Sequence, residues 1–225
     1  NDYHHHGEAV FYGNDPSDNV EDIGDPYGHP VSIHPEGQQS CGVDFDLFAE
    51  WLGFVMHQHY GSPKYLNSEI QKDYPLGLPV CNDEFGYEGP TDPNHSRYDK
   101  SNQNARDARK DAWTIVCSSA YFSFGNIYTY TGREYILDPD HLDSPGANYM
   151  KILGDYMRNN VNFTDMQPAQ ELVLSDGVYC LAEKEKAYLF YFPHDGEYEF
   201  QLDAEDLVFN ARWLNPETGE TFEDA

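Results

Sequence analysis

Leu78-Pro79-Val80-Cys81-Asn82-Asp83-Glu84 is a short, mostly apolar run that ends in two adjacent carboxylates, followed by Phe85-Gly86-Tyr87-Glu88-Gly89. A run that is apolar along its whole length reads as a strand buried on both faces, which is the pattern of parallel α/β sheets. In such sheets the side chains that do chemistry sit just past the carboxyl ends of the strands. Asp83 and Glu84 stand at that position.

Working outward, the same rhythm recurs on both sides. Leu52 to Gln58 is an earlier apolar run, and His29-Pro30-Val31-Ser32-Ile33-His34 is a shorter β-rich one closed by Pro35 and Gly37. Tyr121 to Tyr128 supplies a fourth strand-like run. Between them lie helical patterns. Residues 63–74 place Tyr65, Leu66, Ile70 and Tyr74 near one face. Residues 102–120, capped by Ser101 or Asn102, carry Ala105, Ala108, Ala112, Ile115 and Val116 at near-helical spacing. Residues 146–158 turn Met150, Leu153 and Met157 inward, and a short helix is expected around Phe45 to Trp51. Strands alternating with helices imply parallel βα units. A closed barrel needs eight strands and roughly 250 residues. Four strands before about residue 160 therefore predict the C-terminal half of a TIM (β/α)₈ barrel over residues 1–167. Half a barrel exposes long sheet edges, so another chain or a missing segment is expected to complete it.

Past Pro168 the texture changes to short alternating segments: Glu171 to Leu174, Gly177 to Ala182, Ala187 to Phe192, Tyr198 to Leu202 and Phe209 to Leu214. Turns such as Ser175-Asp176-Gly177 and Asn215-Pro216-Glu217-Thr218-Gly219 divide them. Residues 168–225 are read as a small antiparallel β-sandwich, whose pattern stops at Ala225 without an obvious last strand.

Composition excludes several classes of function. Lys and Arg number 13 against 40 Asp and Glu, a formal net charge of -27. Phosphate binding needs clustered Lys or Arg, so no nucleic-acid partner is expected. No apolar run approaches the roughly 18 residues of a bilayer span, so no membrane insertion is expected. The four cysteines are widely spaced and lack a CxxC pair, which argues against zinc. Cys81 and Cys117 are read as free, buried thiols. His4-His5-His6 lies in a polar stretch where consecutive side chains diverge, so metal binding there is not expected.

Four strand-end positions could carry chemistry: His34, the stretch His57-Gln58-His59, Asp83 with Glu84, and Tyr121 to Gly125. At most one of His57 and His59 is expected to share a site with Gln58. Cleavage of a glycosidic bond needs two carboxyl groups flanking it, about 5 Å apart for retention and more for inversion. Phe85, Tyr87, Tyr121, Phe122 and Phe124 offer rings for sugar faces. Spacing alone leaves a structural role for Glu84 equally open, such as capping a helix or pairing with Arg106 or Arg109.

Taken in order, His29 to His34, Leu52 to Gln58, Pro79 to Gly89, Arg106 to Trp113 and Phe122 to Gly125 resemble the apiosidase-like glycoside hydrolases. These are barrel enzymes with an added C-terminal sandwich, sometimes described as collagen-binding. Tyr188 to Pro193 and Ala211 to Gly219 resemble that sandwich. The likeness runs over most of residues 25–220. It implies that Glu84, in a motif Glu-x-x-Tyr-Glu completed by Tyr87 and Glu88, is the catalytic nucleophile or base. It also implies a general acid from an earlier strand, expected to lie before Asn1-Asp2-Tyr3, with Glu8 a poor substitute. His34, His57, Gln58, Tyr87, Glu88 and Tyr121 are the expected substrate-binding residues, with no metal and no cofactor. The expected substrate is a polysaccharide or oligosaccharide, met in an extracellular or periplasmic location. The alternative is a non-catalytic carbohydrate-binding or cell-surface protein on the same scaffold. A calcium site in Asp138-Pro139-Asp140-His141-Leu142-Asp143 is disfavoured, because the spacing does not match an EF-hand loop.

Overall fold

The computed structural model describes residues 29–44, 52–128, 142–202, 204 and 207–223. The expected helix at Phe45 to Trp51, the His4 to His6 triplet, Glu8 and most of the Asp138 to Asp143 loop lie outside them.

The central sheet has four strands: Gln39–Ser40 (β1), Val55–Gln58 (β2), Val80–Asn82 (β3) and Ala120–Phe122 (β6), side by side in the order β1-β2-β3-β6. β2, β3 and β6 run parallel, with Val55 beside Val80 and Val80 beside Ala120. β1 departs from the expected parallel strand at residues 29–34. That stretch forms no strand, and β1 is a two-residue antiparallel edge on β2. Pro30 and Pro35 remove two backbone donors from the stretch, which confines it to the outside of a ladder.

Helices Pro63–Asp73 (α1) and Ala105–Cys117 (α2) return the chain between the parallel strands. Ser62 caps α1 by accepting from the Tyr65 amide. Asn104, two or three residues past the expected cap, does the same for α2 through the Asp107 amide. One face of the sheet packs on the helices: Val55, Val80 and Ala120 are buried with Leu66 and Ile70 of α1 and Ala108, Ala112 and Ile115 of α2. Pro145–Asn160 (α3) packs against α2 through Leu153. The other face of the sheet carries Met56, Cys81 and Tyr121; Tyr121 is 49% exposed.

A second small sheet sits just past the ends of β3 and β6. Tyr87–Glu88 (β4) pairs in parallel with Asn102–Gln103 (β5) and with Gly125–Asn126 (β7). It staples the excursion 85–103 over the strand ends. Two glycines make this possible. Gly86 has φ +116, and a Cβ there would meet the Ser101 carbonyl at 2.7 Å; a Cβ on Gly125 would meet the Tyr87 ring at 2.5 Å.

The C-terminal segment is antiparallel. Gln167–Pro168 (β8), Tyr179–Glu183 (β9) and Ala187–Tyr191 (β10) form one sheet, and Arg212–Leu214 (β11) pairs with Thr221–Glu223 (β12). β12 was not foreseen in the sequence. Residues 170–172 form a 3-10 turn where a strand was expected, and Phe200 makes only an isolated bridge to Val173. Tyr179 and Tyr191 enter the main core, where Tyr191 stacks on Trp113 of α2. Glu217, in the β11–β12 turn, sits 2.6 Å from Arg109 and 3.2 Å from Arg106. Cys41 and Cys117 are buried free thiols and Cys180 is also buried, whereas Cys81 is only partly buried. Among the described residues no helix is long and apolar enough to cross a membrane.

Candidate active site

The parallel ladder continues past the strands, because the Asp83 amide donates to His57 O and the Ser123 amide to Asn82 O. Asp83 and Ser123 are thereby fixed at the rim by backbone bonds, and Glu84 follows Asp83 directly in the chain. The Ser123 hydroxyl donates to Asp83 Oδ1. The Tyr87 hydroxyl donates to Glu84 Oε1 at 2.8 Å. His34 Nε2 faces both acids, 3.6 Å from Asp83 Oδ2 and 3.6 Å from Glu84 Oε2. The Glu84 side chain keeps 24% of its surface, so its carboxylate is oriented yet reachable. Such a group can accept a proton from, or attack, something placed above the strand ends.

Of the seven expected site residues, three meet here: Glu84, Tyr87 and His34. Gln58 is a near neighbour in the ladder, one residue beyond the His57–Asn82 pair and so level with Asp83. Tyr121 lies one pleat below Ser123 on the same face, with its ring against Phe163 at 5.3 Å, and it does not reach the carboxylates.

Two expectations are corrected. His57 is fully buried and its Nε2 donates to Asp73 Oδ2 at 2.7 Å, on the helix side of the sheet. It cannot touch a sugar from there. Neither of the two histidines shares a site with Gln58, because residues 57 and 59 lie on the face opposite it; their Nδ1 atoms are 3.1 Å apart. Glu88 is also withdrawn from substrate. Its carboxylate is filled by the Ser144 hydroxyl, the Gly146 amide at 3.1 Å and the Asn126 amide group at 3.2 Å. A carboxylate beside the first turn of α3 satisfies orphan N–H groups and the positive end of the helix dipole.

The Asp73–His57–His59 chain lies beneath the site. Burial pushes the Asp73 carboxyl up, but hydrogen bonds from His57, Ser40 and the Val43 amide outweigh it and hold the group below its ordinary range. Burial foremost, and then the neighbouring His57, lower His59 to about 4. Asn82, also buried, clasps the His59 backbone by donating to its carbonyl at 2.8 Å. This polar layer fixes the register of β2 against β3, immediately under Asp83 and Glu84. Sequence reasoning missed Asp73 and Asn82; the cue was a polar residue at the buried position of a regular repeat, Asp73 after Leu66 and Ile70, and Asn82 after Val80. Among the described residues, no three His, Cys, Asp or Glu side chains are grouped as a metal site.

A family model for the catalytic domain of apiosidase-like proteins matches residues 15–164, more than half of the chain. Among solved structures, a glycoside hydrolase family 5 protein from Bacteroides vulgatus ATCC 8482 superposes with a TM-score of 0.68 at 20% identity. That likeness covers 91% of this chain and 51% of the other. A second structure, a glycoside hydrolase, gives a TM-score of 0.70 at 18% identity over 91% and 53% of the two chains. At such identities the likeness shows a shared mixed α/β fold. The chain spans about half the length of these two structures. No curated protein matches it. With its parallel strands, its strand-end carboxylates and the family match in agreement, the chain belongs to the apiosidase-like family.

Proposed function

We propose that the chain is the part of a glycoside hydrolase that carries one catalytic carboxylate, Glu84, acting as nucleophile or general base on an O-glycosidic bond. The observation behind this is the placement of Glu84: just past β3, about a quarter exposed to solvent, and aimed by the Tyr87 hydroxyl at 2.8 Å. In this reading Tyr87 fixes the carboxylate that must point at the anomeric carbon or its attacking water. His34 and Gln58 would hydrogen-bond sugar hydroxyls, and Tyr121 would offer a ring lower on the same face. The partner acid of a two-carboxylate mechanism would come from outside the described residues. β2, β3 and β6 would be consecutive strands of a (β/α)₈ barrel, with residues 168–225 forming a β-sandwich on its flank. The substrate would be a polysaccharide or oligosaccharide, met outside the cytoplasm.

A second reading, sugar binding without cleavage, is favoured by one feature. The carboxyl that the structure sets beside Glu84 is Asp83, its chain neighbour, already held by Ser123 rather than standing across a gap. The two readings separate when the full-length protein is incubated with xylan-, glucan-, galactan- and pectin-derived oligosaccharides and products are followed by chromatography. New reducing ends support the hydrolase. Affinity for a sugar with no release of product from any of them supports the binding protein and contradicts the hydrolase.

A further inference from the structure

A cavity of about 320 Å³ opens between the N-terminal ends of α1 and α2, lined in part by Tyr60, Phe85, Lys100, Gln103, Lys110 and Asp111. It backs onto the turn that carries Glu84: Phe85 forms part of its wall, and Gln103 Nε2 approaches the Phe85 carbonyl at 3.5 Å. Asp111 is 4% exposed, and no hydrogen bond or ion pair among the described residues reaches its carboxyl. Buried polar groups are almost always partnered, and one that is not asks for a reason. Asn102, which also lines the cavity, has a buried Oδ1 without a partner.

The lining selects the ligand class. Asp107 offsets one of Lys100 and Lys110 while Asp111 stays protonated, so a strongly anionic group such as a phosphate would meet the Asp107 carboxylate as well as two ammoniums. A purely apolar ligand would leave the Asp111 carboxyl and the Asn102 Oδ1 without partners. An uncharged polyol fits both demands, with hydroxyls for the polar groups and a C–H face for the Tyr60 ring. The volume is at the lower end of ordinary ligand sites, about 300–1,000 Å³, which suits a short saccharide.

We propose that this cavity is a second saccharide site, separate from Glu84, in which Asp111 donates a hydrogen bond to a sugar oxygen at the buried end. It does not depend on Glu84 being catalytic. Burial, and then Asp107, raise the Asp111 carboxyl to about 8 against the opposing pull of Lys110, so it is a donor at neutral pH. Lys100 also lines the cavity, and Tyr179 and Tyr191 from the C-terminal sheet lie near Asp111, both held neutral by burial. Sugar affinity in this site therefore falls as pH rises through about 8.

The test uses the full chain carrying Glu84→Gln, so that hydrolysis does not interfere. Backbone amides of Gly61, Ser101 and Lys110 are followed by NMR during titration with glucose, xylose, galactose and cellobiose. The expected result is saturable shifts at these three amides with at least one sugar. Asp111→Asn, which still donates, keeps them, and their pH dependence near 8 disappears. Asp111→Leu weakens binding at least tenfold; should that variant misfold, Tyr60→Ala on the rim replaces it with the same expectation. Absence of shifts at these amides with all four sugars overturns the proposal, as does equal affinity in the wild-type chain and in the Leu or Ala variant.

Discussion

Replacing Asp111 by Asn is expected to stabilise the protein, by an amount that is absent near pH 3.8 and grows as pH rises towards 8. In an unfolded chain this carboxyl titrates near 3.8; in the fold it is raised to about 8, burial being the chief cause. A raised folded value means that the native state holds the proton where the unfolded state has released it. Stability from this group is thus fully present below pH 3.8 and is lost as pH rises towards 8. Each pH unit in that window is worth about 1.4 kcal/mol, so at pH 7 the native Asp111 weakens the fold by roughly 4 kcal/mol. Asn keeps the shape and the donor but does not titrate. The Asn variant should therefore gain about 3–4 kcal/mol over wild type at pH 7 and nothing near pH 3.8. Urea unfolding of both proteins across this range gives the difference directly, and the contributions of His59 and Asp73 cancel because both proteins share them. Equal stability at pH 7, or a difference that does not change with pH, would refute the buried, unpartnered description of Asp111.

Asp73→Ala leaves the buried His57 ring, the Ser40 hydroxyl and the Val43 amide without their acceptor. Breaking such a buried pair costs about 3–5 kcal/mol, a fall in Tm of about 6–20 °C for a chain of this size; a fall under about 2 °C would count against it. His59 is lowered to about 4 from 6.5, mainly by burial, so its contribution is complete above pH 6.5 and is lost as pH falls towards 4. His59→Gln should accordingly flatten the slope of stability against pH in that window, measured by denaturant titration; an unchanged slope would contradict the assignment. Tyr87→Phe removes the hydroxyl that aims Glu84. A hydrogen bond to a charged group is worth about 1.5–3 kcal/mol, so kcat should fall by about 10- to 150-fold with KM little changed, and a change confined to KM would place Tyr87 in substrate binding instead.

The helices and the parallel strands were legible because their signals are local. Leu66 and Ile70, or Ala108, Ala112 and Ile115, repeat at the helical period, and Val80 and Asn82 alternate with the more exposed Cys81. The strand-end place of Glu84 was legible because a carboxylate ends an apolar run, whereas Tyr87 entered through the resemblance to a Glu-x-x-Tyr-Glu motif. What failed depended on partners distant in sequence. His57 resembles a strand-end ligand until Asp73, sixteen residues later on α1, is seen to take its ring. Glu88 resembles half of an acidic motif until Ser144 and Gly146 arrive from the start of α3. Arg106 and Arg109, weighed as partners for Glu84, pair instead with Glu217 in a C-terminal turn. Asp111 gave one local cue that went unread: it falls on the apolar face of α2, between Ala108 and Ile115.

The central claim is that Glu84 is the carboxylate that reacts. Its most direct test is kcat of Glu84→Gln in the full-length protein, measured on an oligosaccharide that the wild type cleaves, with Tm recorded beside it. The arrangement of Glu84, Tyr87 and His34 leads to a kcat at least about a hundredfold lower, with Tm and sugar affinity preserved. Activity within about tenfold of wild type would contradict the claim and assign the chemistry to another residue.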